Sequence, residues 1–143
     1  MPDFAGAYDA ILGRFKSQMD SSRPNVPVNW PNMEFAPESD FDASSDDAWV
    51  RIVVEGNDAR QASLGGTGYR RFRQFGLVTT QVFCTSGKGL ETALNVADDV
   101  VTALEGVTTS GVRLQASSVT PIGRDGAFYQ VNVRTPFQFD NQK

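Results

Sequence analysis

A chain of 143 residues with a formal net charge of -4 and a pI near 4.7 is long enough for one domain with its own core, and too acidic overall to make a phosphate backbone its obvious partner. It has no histidine and one cysteine, Cys84, which excludes Ser-His-Asp and Cys-His pairs, a histidine general base, a zinc site of four Cys or His ligands and an intramolecular disulfide. No basic, apolar leader opens it and no apolar run approaches the ~18 residues needed to cross a bilayer, so a soluble compartment is expected. Nothing repeats at a fixed period.

In chain order, Asp3 is a plausible N-cap for a first helix whose apolar stripe is Phe4, Tyr8, Ile11, Leu12, Phe15 and Met19. The segment 21–48 then turns irregular, because Pro24, Pro27, Pro31 and Pro37 forbid a continuous helix. Within it Val26, Val28 and Trp30 alternate as a short edge strand, Met33 and Phe35 are expected to tuck under the core, and Ser39 to Asp47 reads as a solvated loop. Trp49 to Val54 is a strand. Residues 55–68 form an expected flexible, glycine-rich loop ending in Gly65-Gly66-Thr67-Gly68, and Arg70 to Thr85 is a longer strand. That strand is apolar on both faces, Leu77 and Phe83 on one and Val78, Val82 and Cys84 on the other, so something must cover each side; Gly76 suggests a bend or bulge. Cys84 itself reads as a small buried hydrophobe.

After Gly87-Lys88-Gly89 the period changes to 3.6, with Leu90, Leu94, Ala97, Val101 and Leu104 on one stripe and Gly106 at the expected C-terminal cap. Val112 to Ile122 and Ala127 to Asp140 read as two paired strands joined across Gly123 to Gly126, and Pro136 implies an edge position or a change of direction. The sum is one α+β domain over 1–143, a mostly antiparallel sheet of four to five strands with two helices packed on it.

Partial motifs fail on spacing. A phosphate loop ending at Gly87-Lys88 would need its first glycine at Val82 and a hydroxyl at Gly89. A dinucleotide fingerprint beginning at Gly66-Thr67-Gly68 has Arg71 at its third glycine and a strand where a helix is required. Asp40, Asp42 and Ser44 begin a calcium loop whose turn glycine is Ser45 and whose final glutamate is Arg51. Asp98-Asp99 reads as a solvated helix surface rather than an acid-base pair. No catalytic, cofactor or metal residue is therefore assigned.

The pattern that asks for a partner is basic. Arg60, Arg70, Arg71 and Arg73 bracket Gly65, Gly66 and Gly68 together with Tyr69, Phe72 and Phe75. Arginines interleaved with aromatics suit a single-strand nucleic-acid binder, but on an acidic chain a subunit interface is the better reading, because the arginine fork pairs bidentately with carboxylates of a neighbour. Arg60, Gly65, Gly66, Gly68, Tyr69, Arg70, Arg71 and Arg73 are the candidate interface.

With these pieces in order, the chain resembles the tail terminator family of long-tailed bacteriophages. The resemblance rests on Trp49-Val50-Arg51-Ile52-Val53-Val54, the gap ending in Gly68-Tyr69-Arg70, Gln81-Val82-Phe83, the glycine-led helix with Ala97-Asp98 near its middle, and Gly126-Ala127-Phe128-Tyr129-Gln130-Val131-Asn132-Val133 followed by Pro136-Phe137. It implies a structural virion protein without enzymatic activity or cofactor. Such a protein forms a ring, commonly a hexamer, at the head-proximal end of the tail, assembled in the host cytoplasm. There it stops growth of the tube, contacts the tail tube protein and the head connector or stopper, and lets DNA pass without specific binding or any membrane. A related head-tail connector or neck protein, and a small nucleic-acid-binding module using the cluster at 69–75, are the alternatives.

Overall fold

A computed structural model describes residues 3–42, 48–87 and 89–143, and shows two long helices on one face of a seven-stranded, mostly antiparallel sheet. Helix α1 (Phe4–Ser22) begins where its cap predicts: the Asp3 carboxylate accepts the Gly6 N–H at 2.7 Å. Ala7, Ile11, Phe15 and Met19 are buried, Tyr8 and Leu12 flank them half-buried, and Phe4 lies partly exposed with its ring 6.4 Å from Phe139.

The proline-rich segment is partly ordered by the sheet edge. Strand β1 (Val28–Asn29) runs parallel to β2 (Trp49–Gln61), Val26 is buried, and Trp30 packs edge-on to Phe15 at 5.9 Å. Met33 does not tuck under the core; it is 67% exposed. Phe35 instead stacks on Trp49 at 5.0 Å, on the side of the sheet away from the helices. Of the expected loop over 39–47, the described part holds the end of the single turn α2 (Pro37–Asp40) and the buried Phe41, while residues 43–47 lie outside the described residues.

Strand β2 pairs with β3 (Arg71–Thr85), and β3 with β7 (Phe128–Gln142), from Arg71↔Gln142 to Thr85↔Phe128. These make the long central ribbon, roughly 50 Å at about 3.3 Å per residue. The expected loop over 55–68 is shorter than its sequence suggests. Glu55 to Gln61 continue β2, with Asn57 absorbed by a bulge between Gly56 and Asp58, so the connection is 62–70. The bend expected at Gly76 thus falls on the partner strand. Beyond Arg51 no described strand pairs with the outer edge of β2.

Helix α3 (Glu91–Leu104) leads through β4 (Thr108–Thr109) into β5 (Val112–Leu114), around Ser110 and Gly111, whose φ values of 48° and 83° fit a two-residue type I′ turn. The strand expected over Val112 to Ile122 is interrupted: β5 and β6 (Ser118–Asp125) both pair with β7, with 115–117 between them. The same interruption explains Pro136, which sits inside the sheet rather than at its edge. Its carbonyl accepts the Gln115 N–H at 2.8 Å, so its missing N–H faces the gap where no ladder bond is lost. With β1 and β4 added, seven strands replace the four to five expected.

Alternation gives the sheet two apolar regions. Towards the helices lie Val50, Ile52, Val78, Val82, Cys84, Val131, Val133 and Phe137. On the other side Trp49, Phe83 and Phe41 pack with Phe35 and Phe128, Trp49 stacking on Phe83 at 4.2 Å. This is the second cover that β3 requires. On α3 the buried positions are Ala93, Val96, Ala97, Val100, Ala103 and Leu104, so the stripe is rotated from the expected one, leaving Leu90, Leu94 and Val101 half-buried on its flanks. Gly106, φ 69°, follows the helix end as expected of a left-handed cap.

Candidate assembly surface

The eight residues of the candidate interface converge at the tip of the β2–β3 hairpin. There the chain turns on Gly65 (φ 149°) and Gly68 (φ 88°), and Leu64 and Tyr69 project with 93% and 78% of their surface exposed. The C-terminal end of β7 holds the tip. Gln142 Nε2 donates to the Gly68 carbonyl at 2.9 Å, the Lys143 N–H donates to the Arg70 carbonyl at 2.9 Å, and Arg70 Nε donates to the Lys143 carbonyl at 3.3 Å. Across the hairpin, the Arg71 N–H donates to Ser63 Oγ at 2.9 Å.

The arginines are not alike. Arg73 forms a two-pronged pair with Asp140 on the adjacent strand, at 2.8 and 3.1 Å. The hydrogen bond and charge of Arg73 hold the Asp140 carboxyl below its ordinary value, with Arg113 and Arg71 adding to the effect and desolvation opposing it; Asp140 in turn raises Arg73. Arg60 makes a longer contact of 3.4 Å with Asp58 and lies 5.5 Å over the Phe75 ring. Arg70 and Lys143 both lie over Phe72, at 5.4 and 5.3 Å. Arg71 is exposed.

Sequence reasoning missed the extent of the basic surface. Register places Arg51, Arg60, Arg71, Arg73, Arg113 and Arg134 on the sheet face that points away from the helices. Among the described side chains on these strands, Glu55, Asp58 and Asp140 share that face, leaving the strands three positive charges ahead, while the segment packed over Trp49 and Phe83 at one end carries Glu34, Asp40 and Asp42. Arg51 follows from simple alternation with Ile52, but Arg113 and Arg134 join only once the pairings with β7 are known.

The helix layer is of opposite sign. Asp3, Asp9, Asp20, Glu91, Asp98, Asp99 and Glu105 stand on or beside α1 and α3 against Arg14, Lys16 and Arg23. Lys16 pairs with Asp20 and Arg23 with Asp99, so the Asp98-Asp99 pair is divided: Asp98 is exposed and Asp99 is in an ion pair. Asp40, from the failed calcium-loop pattern, accepts the Ala36 N–H, and Ser44 lies outside the described residues. Among the described residues no group of three or more potential metal ligands converges, and no helix is long and apolar enough to cross a membrane. A cavity of about 270 Å³ is lined by Gly87, Gly89, Leu90, Arg124 and Tyr129, with no carboxylate among them.

Comparison with known proteins agrees with this architecture. One solved protein structure, 18% identical, superposes with a TM-score of 0.66 over 93% of this chain and 92% of that one. A chain in the virion of a native gene transfer agent particle, 12% identical, superposes with a TM-score of 0.53 over 97% of this chain and all of the other, 100%. At such identities the likeness concerns the fold. Comparison with curated protein sequences gives no match. The family described as phage tail terminator protein, a family of structural virion proteins, matches residues 7–137, which takes in all but the first turn of α1, the whole of α3 and every strand except the end of β7: the chain belongs to the phage tail terminator protein family and is a component of the virion tail.

Proposed function

We propose that the protein assembles as a ring at the head-proximal end of the tail tube, where it stops tube polymerisation and presents the surface to which the head attaches. The observation that carries this reading is the hairpin tip. Two large side chains, Leu64 and Tyr69, stand exposed there on a β-ribbon pinned by the C-terminus and flanked by arginines, as a contact surface awaiting another protein would. The tip residues Arg60, Gly65, Gly66, Gly68, Tyr69, Arg70, Arg71 and Arg73 form part of the subunit contact. A tube of identical subunits offers the same growing face after each ring, so growth ends only when a different protein caps that face.

Phage lacking the protein are expected to make tails of excessive and irregular length beside unattached, DNA-filled heads, and purified protein is expected to halt tube elongation without nucleotide or metal. Tails of normal length in its absence would remove the terminating role and leave a connector role. A single-strand nucleic-acid module is disfavoured by a specific observation: Phe72 and Phe75 already carry cations over their rings, leaving Tyr69 as the open stacking surface of that cluster.

A further inference from the structure

Away from the aromatic cluster that Phe35 and Phe41 cover, the strands of the outer sheet face are net basic, and the sheet separates them from the acidic helix layer. On the outer sheet face Arg51, Arg113 and Arg134 are exposed and extend the basic surface away from the hairpin tip, along the middle of the sheet. On the other side α3 shows solvent a stripe of Glu91, Asn95, Asp98, Thr102 and Glu105, spaced so that one face of the helix carries them all, and its inward positions are filled with Ala, Val and Leu104. No lysine or arginine occurs from Gly89 to Val112, so no basic residue within α3 neutralises the stripe. Each face alone is an ordinary solvated surface; together they are complementary in sign and directed to opposite sides of one molecule.

We infer that neighbouring copies pack front to back, the arginine-bearing sheet face of one against the acidic α3 side of the next. This rests on the ring reading above and names the surfaces that meet in it. A front-to-back contact joins unlike surfaces, so repeating it generates a closed ring or an open helix rather than a two-fold dimer. Like-charged approaches, sheet to sheet or helix to helix, are repelled, so the charge pattern selects the register. DNA fits the same face less well, because Glu55 and Asp58 would repel phosphates, whereas a folded neighbour can leave these two at the β2 edge and meet arginines among which the one carboxylate, Asp140, is already paired with Arg73.

The test is a charge swap, with assembly read as ring mass, free or on purified tail tubes. Arg51→Glu with Arg134→Glu reverses the front, and Glu91→Arg with Asp98→Arg reverses the back; all four side chains are exposed, and thermal unfolding confirms that each variant is folded. Each double variant alone is expected to lose assembly at least tenfold in low salt. Mixing the two restores it, because the reversed front of one copy then meets the reversed back of the other, and the chain carrying all four substitutions assembles by itself. If folded front-reversed protein assembles like wild type, or if mixing fails to rescue, the front-to-back contact is wrong. Wild-type protein that forms no ring, free or on tubes, overturns the ring reading instead.

Discussion

Replacing Gly76 with alanine tests how tightly the centre of the ribbon is packed. Gly76 does not have a positive φ, so alanine meets no intrinsic backbone penalty there; the whole cost is steric. A Cβ at this position would overlap the Phe137 ring and the backbone oxygen of Glu55, and Phe137 is only 2% exposed. The ring can shift at the expense of its neighbours, but the oxygen belongs to the paired strand at the bulge and moves only with the ladder. Overpacking typically costs about 1–3 kcal/mol, and the entropy gained by removing a glycine returns less than about 1 kcal/mol. With two obstacles, one of them backbone, a net loss of about 2–4 kcal/mol is expected. In urea, with a slope of about 2 kcal/mol/M, that lowers the midpoint by roughly 1–2 M without changing the slope. Adding Phe137→Leu should recover part of the loss, because it clears the ring and leaves the Glu55 oxygen. Gly76→Ala protein within about 0.5 kcal/mol of wild type would refute the argument.

Thr80 is fully buried and its hydroxyl has no hydrogen-bond partner among the described residues, so Thr80→Val, equal in shape and equally suited to a strand, should raise stability by about 1 kcal/mol in the same assay. Asp140 has a folded pKa below its ordinary value, so its pairing with Arg73 contributes stability that is full above about pH 4 and is lost as the pH falls through the folded value; the difference between wild type and Asp140→Asn should therefore be present at pH 7 and shrink in strong acid. Equal loss at both pH values would show that the substitution acts through packing. Burial raises the Cys84 thiol, so thiol reagents should modify it slowly in native protein at pH 7 and fully in denaturant; rapid native labelling would mean that the core around it opens.

Local signals carried much of the fold. Asp3, the 3.6-residue stripes and the alternation around Val50 and Val131 identified both helices and the central strands, because capping and periodicity are written in neighbouring residues. What escaped depends on residues far apart in the chain. Bulges shift the pairing without a composition signal, so Asn57 hid the true length of β2; Ser110-Gly111 closes a hairpin of two- and three-residue strands too short to show alternation. Pro136 reads as a breaker unless the gap at 115–117 beside it is known. For the assembly surface, the arginines near the hairpin tip were visible as a cluster, but the partner of Arg73 lies 67 residues away and the wider basic face is a product of register.

The open flank of β2 has a consequence for growth in the wrong direction. An uncovered strand edge offers hydrogen-bonding groups to any passing chain, and a virion component made in many copies meets itself often. Here the edge is broken by the bulge at Asn57 and bears Glu55, Asp58 and Arg60, so an incoming strand meets a twist, an interrupted ladder and three charged side chains whose water it must strip. Sideways addition into ribbons is thereby discouraged by the same stretch that lengthens the hairpin. A protein proposed to stand where polymerisation ends has an edge that does not begin another.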